Sequence, residues 1–182
     1  MMVLTVQDYP VVKKILEGSY YPQFMLSSYA CSSTRFTKAY AKVLLELSHK
    51  TGENFSYGLD SCMWGWCNYP YMPLHKSNGL KGYTKRKYGI FCEVPESMAI
   101  FSNYDAFCGY IEGYFDNPSR FLLKRNGYDR YVQCSFWRVN PNSIQLIVDL
   151  DNLQRNMTVE ELYETNKLRD VRYLFDSRVA NL

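Results

Sequence analysis

His49 and His75 are the only histidines in the chain, so any mechanism built on an imidazole base has to use one of them. His49 falls in the last turn of a clear helical pattern, where a histidine complements the helix dipole. His75 lies in a Pro-rich stretch with no Ser or Cys nucleophile beside it, although a pair assembled from distant segments would leave no local mark. Cys62, Cys67 and His75 have ligand chemistry, but structural zinc pairs sit two to four residues apart and need a fourth ligand. No fourth ligand is evident, and no metal is expected. Glu93, Glu96 and Asp105 are close enough in sequence for paired-carboxylate work, with Glu96 in a turn. No phosphate-cradling loop and no dinucleotide fingerprint occurs, so no catalytic residue and no cofactor is assigned.

The strongest surface candidate is Lys81-Gly82-Tyr83-Thr84-Lys85-Arg86-Lys87-Tyr88. Its cations, interleaved with Tyr83 and Tyr88, can pair with phosphates while the rings stack on bases or pack on a protein. The same stretch also reads as a solvated loop. Trp64 and Trp66, two apart on a strand-like segment, share one face and either extend this surface or enter the core. The partner-binding set is therefore Tyr83, Lys85, Arg86, Lys87, Tyr88, Trp64 and Trp66.

Composition agrees with a contact function. Seventeen Tyr, ten Phe and three Trp make up 16% of 182 residues, and Tyr joins large contact area to a polar tip. A net charge of +3 is too balanced for an electrostatic sponge for nucleic acid. It is also the wrong sign for a mimic of DNA phosphates. The six cysteines follow no secretory signal pattern, and no apolar run is long enough to span a bilayer. Reduced thiols in the cytoplasm, away from membranes, are expected.

The elements that must position these groups read as α+β. Val3 to Gln7 suggests a strand, and Asp8-Tyr9-Pro10 starts a helix that stops at Gly18. Phe36, Tyr40, Val43, Leu44 and Leu47 mark an amphipathic helix from Ser33 or Thr34 to about Lys50, closed by Gly52. Strands are expected at 62–67, 88–94 and 98–101, and a helix over 105–115. Tyr131 to Val139 and Ile144 to Leu150 read as an antiparallel pair joined by Asn140-Pro141-Asn142-Ser143. Thr158 and Glu161 form a capping box ahead of a helix to about Glu164, with another expected around 169–179. This gives a single α+β core domain over 1–150, with a mixed or antiparallel sheet against amphipathic helices. A C-terminal helical appendage over 151–182 packs on the core or extends from it.

Leu4-Thr5-Val6-Gln7…Leu16-Glu17-Gly18, Val94-Pro95-Glu96…Phe101-Ser102-Asn103-Tyr104-Asp105 and Gln133-Cys134-Ser135-Phe136-Trp137 resemble the bacterial domain-of-unknown-function family 3841. The likeness spans residues 1 to about 150 and departs from the family pattern at Pro70-Tyr71-Met72-Pro73. It implies a fold and no activity. Over the whole chain, length, aromatic richness and lack of a catalytic motif resemble type II-A anti-CRISPR proteins of host–phage conflict. That resemblance implies a non-enzymatic inhibitor that binds a CRISPR nuclease with its guide RNA and blocks DNA cleavage. At +3 it would grip protein surface or guide RNA, not the duplex cleft. The alternative is a nucleotide-handling enzyme resembling ADP-ribosyltransferases. Such folds place a catalytic acid on a late strand, where this chain has Gln133.

Overall fold

A computed structural model describes residues 1–24, 32–68, 87–124, 131–151 and 157–176. Among them the chain forms an α+β domain around one seven-stranded antiparallel sheet. The strands are β1 (Met2–Asp8), β2 (Met63–Asn68), β3 (Lys87–Glu93), β4 (Ala99–Asn103), β5 (Leu122–Leu123), β6 (Val132–Phe136) and β7 (Ile144–Asp149). They lie side by side in the order β5-β4-β6-β2-β1-β3-β7. The helices are α1 (Tyr9–Leu16), α2 (Thr34–Thr51), α3 (Tyr104–Glu112) and α4 (Val159–Asn166).

Alternation along the strands decides which layer each helix covers. One register row runs Ser102, Gln133, Trp66, Leu4, Phe91, Leu146 across β4, β6, β2, β1, β3 and β7. Its apolar end is covered by α4, whose Val159 and Leu162 pack with Leu4, Phe91 and Leu146. Trp64 and Ile100, on the same face, pack beneath α2 and α3 with Val43, Leu47 and Phe107. The opposite face carries Val3, Ile90, Cys92, Cys134 and Phe136 against Val12 and Ile15 of α1. Each such aliphatic side chain taken out of water stabilises the fold by about 1.5–3 kcal/mol.

Local chemistry sets the helix limits. Ser33 accepts from the Phe36 N–H at 3.3 Å, and Gly52, at φ 74°, closes α2 in the left-handed region that disfavours side chains. Asn103 caps α3 by accepting from Ala106 N–H at 2.9 Å. Arg35 joins the two helices. Its Nη1 donates to the Tyr110 and Phe115 carbonyls, each at 3.0 Å, and its Nη2 pairs with Asp116 at 2.7 Å. The capping box is formed, with Thr158 Oγ1 accepting from Glu161 N–H and the Glu161 carboxylate accepting from Thr158 N–H. Gly65 lets β1 and β2 approach, because a Cβ there would stand 2.3 Å from Val3 Cγ1.

Two expectations are corrected. The strands at 131–139 and 144–150 exist but do not form a hairpin. β6 has β2 on one side and β4 on the other, while β7 pairs with β3. The two are four strand spacings apart, about 19 Å, within the roughly 25 Å reach of the connecting residues 137–143. Val139 is buried on the way, and Asn140 caps a 3-10 turn over Pro141–Ser143 instead of a two-residue reversal. The helix expected around 169–179 is, over its described part, two 3-10 turns at Lys167–Arg169 and Arg172–Phe175. The backbone there bonds to a strand instead. Val171 N–H donates to the Ile147 carbonyl at 3.0 Å, and the Arg172 side chain adds bonds from its guanidinium to the Ile144 and Gln145 carbonyls. This segment covers the edge of β7, which would otherwise present open ladder groups.

Candidate functional site

Where β1 ends and β2 begins beside α2 and α3, the sheet opens into a cleft of about 630 Å³, within the usual range for small-molecule sites. The sheet contributes Val6, Trp64, Trp66 and Gln133, α2 contributes Phe36 and Tyr40, and α3 contributes Tyr104, Phe107, Cys108 and Glu112. Tyr20, Pro22 and Gln23, just beyond α1, line it as well. The walls are rings in mutual contact. Trp66 meets Tyr104 edge-on with centroids 5.2 Å apart, and Trp64 lies 5.3 Å from both Tyr40 and Phe107.

Polar groups of the sheet around this cleft, Thr5 on its far face among them, behave in two ways. Thr5, fully buried, donates to the Trp64 carbonyl at 2.8 Å and accepts from Gln7 Nε2 at 3.0 Å. Trp64 Nε1, Gln133 Oε1 and Ser102 Oγ are buried and have no hydrogen-bond partner among the described residues. Gln133 is only 7% exposed. Register places it opposite Trp66 on β2 and Ser102 on β4, with Trp64 one diagonal step away on the same face. A buried polar atom without a partner costs about 1–3 kcal/mol. Two of them on one row, with a third a diagonal step away, therefore mark a surface shaped for something other than stability.

The ionisable groups in the cleft do not make an activated nucleophile. Burial pushes the Cys62 thiol up to about 12, and burial, helped by Glu112 and Asp105, raises that of Cys108. Both stay protonated at neutral pH, and it is the thiolate that reacts. Tyr20 also holds its proton more tightly than usual, mainly through burial and then through the charge of Asp8.

The residues singled out from sequence are dispersed. Trp64 and Trp66 do share a face, and both line the cleft. Lys87 is paired with Asp8 across the β1–β3 ladder, and both line the cleft. Tyr88 is 3% exposed, packed among Tyr9 and Phe175. Tyr83, Lys85, Arg86 and His75 lie outside the described residues. His49 is exposed in the last turn of α2, and its imidazole hydrogen-bonds to no described residue. Cys62 packs under α2 while Cys67 packs on the opposite face of the sheet, so these two do not converge on one ion. Among the described residues no group of three or more His, Cys, Asp or Glu could hold a metal.

Sequence reading did not find Tyr40, Tyr104 or Phe107 as wall residues, since rings at helical spacing read equally well as core. Gln133 did leave a signal. It is a long amide inside Val132–Phe136, a strand whose every residue is buried, and such a position normally carries an apolar side chain. Among the described residues no helix is long and apolar enough to cross a membrane. Comparison with family models, curated proteins and solved structures found no match to this chain.

Proposed function

We propose that the protein handles a small molecule of the nucleotide class, whose planar ring enters the cleft between the β2–β6 floor and helices α2 and α3. The observation that carries this reading is Gln133, which lines a ring-walled cleft, is almost wholly buried, and has an Oε1 without a partner among the described residues. Aromatic walls suit a flat heterocycle by stacking and edge contacts, and a few placed polar groups fix its orientation. The late strand β6 brings Gln133 to this cleft, and it is on such a late strand that the ADP-ribosyltransferase resemblance expects an acid. A carboxamide neither takes nor gives up a proton near neutral pH. Gln133 therefore serves recognition, and any group transfer would need a proton acceptor from elsewhere in the cleft.

The test is calorimetric titration of the purified protein with nucleosides, nucleotides and NAD, together with mass spectrometry of NAD incubated with the protein. Saturable binding that is weakened by Gln133→Leu supports the reading. Absence of binding across the series overturns it. Release of nicotinamide by the wild type but not by Gln133→Leu would extend recognition to catalysis.

A second reading, inhibition of a guide-loaded CRISPR nuclease, has its own observation. Tyr21, Tyr57 and Leu59 are 62%, 70% and 65% exposed. The Phe24–Leu59 and Ser61–Pro22 backbone bonds hold their two segments side by side. Exposed rings on a braced backbone are the usual anchors of protein interfaces. The check is a DNA-cleavage assay with a guide-loaded type II nuclease, comparing wild type with Tyr21, Tyr57 and Leu59→Ala and with Tyr83, Lys85 and Arg86→Ala. Tyr88 is left intact because its burial would turn its loss into a folding defect. Full cleavage in the presence of the wild-type protein rejects this reading.

A further inference from the structure

Trp64 and Gln133 differ in a way that specifies a ligand edge. An indole N–H can only donate, and a carboxamide oxygen can only accept. They stand on adjacent strands of one face, one diagonal step apart, and neither atom has a partner among the described residues. Diagonal neighbours on a sheet are about 7–8 Å apart at their backbones, and both residues line the cleft. Rings wall that patch, with Trp66–Tyr104 on one side and Tyr40–Trp64–Phe107 on the other.

Resting on the cleft reading above, we infer that the site selects a flat ring presenting an acceptor and an N–H donor side by side, as in a primary carboxamide or a ring lactam. With the side-chain adjustment that opens these two solvent-closed atoms to the cleft, the ligand acceptor takes the Trp64 Nε1–H and the ligand N–H donates to Gln133 Oε1. Ser102, directly opposite Gln133 on β4, has an Oγ with no partner among the described residues, and as a hydroxyl it can donate to or accept from a further polar group of the ligand. Sites built this way reject analogues that lack the matching N–H, because a buried acceptor is then left unpaired.

The experiment compares ring-matched probes on the wild-type protein. Nicotinamide is set against 3-acetylpyridine, which keeps the acceptor and loses the donor. Uridine is set against 3-methyluridine, in which the ring N–H is blocked. The first pair reports a carboxamide ligand and the second a lactam. Losing one buried donor is expected to weaken binding by about 5- to 150-fold in at least one pair. The discrimination should collapse in Gln133→Leu and persist in Gln133→Glu, which keeps an acceptor oxygen, with thermal melts of both variants checking the fold. Equal binding within both pairs overturns the edge assignment while leaving the cleft reading standing. Failure of every heterocycle to bind sinks both.

Discussion

Replacing Gln133 by Leu should make the protein more stable, although it removes a hydrogen-bonding side chain from a buried strand. Gln133 Oε1 is buried with no partner, and Val132, Cys134 and Phe136 beside it are at most 1% exposed. The unmade bond costs about 1–3 kcal/mol, and an apolar side chain of similar size does not incur it. For a domain of this length, 1 kcal/mol corresponds to roughly 2–4 °C in Tm. The expected change is therefore a rise of roughly 2–12 °C. Thr5 is the control on the same sheet, because its hydroxyl both donates and accepts. Thr5→Val should lower stability by about 1–3 kcal/mol, the cost of leaving a buried group unpaired. Scanning calorimetry at neutral pH on the two variants reads both signs. A Tm for Gln133→Leu that falls as far as that for Thr5→Val would refute the reasoning, since Gln133 would then be an ordinary structural amide.

Three further outcomes are expected. Arg35→Ala should cost about 2–4 kcal/mol by chemical denaturation, because two charge-assisted bonds to carbonyls are lost. Asp116→Ala should cost less than about 1 kcal/mol, its carboxylate being 93% exposed. Gly65→Ala should cost about 1–3 kcal/mol by overpacking against Val3, and the Gly65→Ala, Val3→Ala double variant should lose less than the sum of the singles. Burial raises the Cys62 and Cys92 thiols from 9.0 to about 12 and also raises Cys134. The unfolded chain gives up these protons above pH 9 while the folded chain keeps them. Their contribution is thus complete below pH 9 and is lost as pH climbs toward 12, by about 1.4 kcal/mol per pH unit for each thiol. Urea midpoints at pH 8 and pH 10 measure the slope, and Cys62→Ala with Cys92→Ala should flatten it.

Local patterns carried most of the elements. α2 was legible because five core residues keep helical spacing and both of its ends are capped by side-chain or glycine chemistry. The Thr158–Glu161 box was legible for the same reason. Strand partnership was not. Sequence proximity and a Pro-Asn turn suggested that β6 and β7 pair, yet ladder position depends on which edges remain free, and β6 had both edges occupied by β2 and β4. The cleft was half legible. Trp64 and Trp66 follow from period-two spacing, but their neighbours Tyr40 and Tyr104 come from helices far away in the chain. Gln133 was visible as an odd residue in an apolar strand, while its missing partner is a property of the assembled sheet. Tyr88 shows the limit from the other side. Its basic, aromatic neighbourhood suggested a surface, and strand alternation turned its ring inward among Tyr9 and Phe175.

The three indole N–H groups offer the most direct measurement, because each gives its own signal in a nitrogen–proton correlation spectrum. Trp137 Nε1 is already engaged with Thr51 Oγ1 at 2.9 Å, whereas Trp64 Nε1 has no partner. On titration with a carboxamide- or lactam-bearing ring, the Trp64 indole signal should shift downfield as it gains an acceptor, and the Trp137 signal should stay in place. A Trp64 signal that remains fixed at saturating ligand, or one that moves in step with Trp137, would contradict the account.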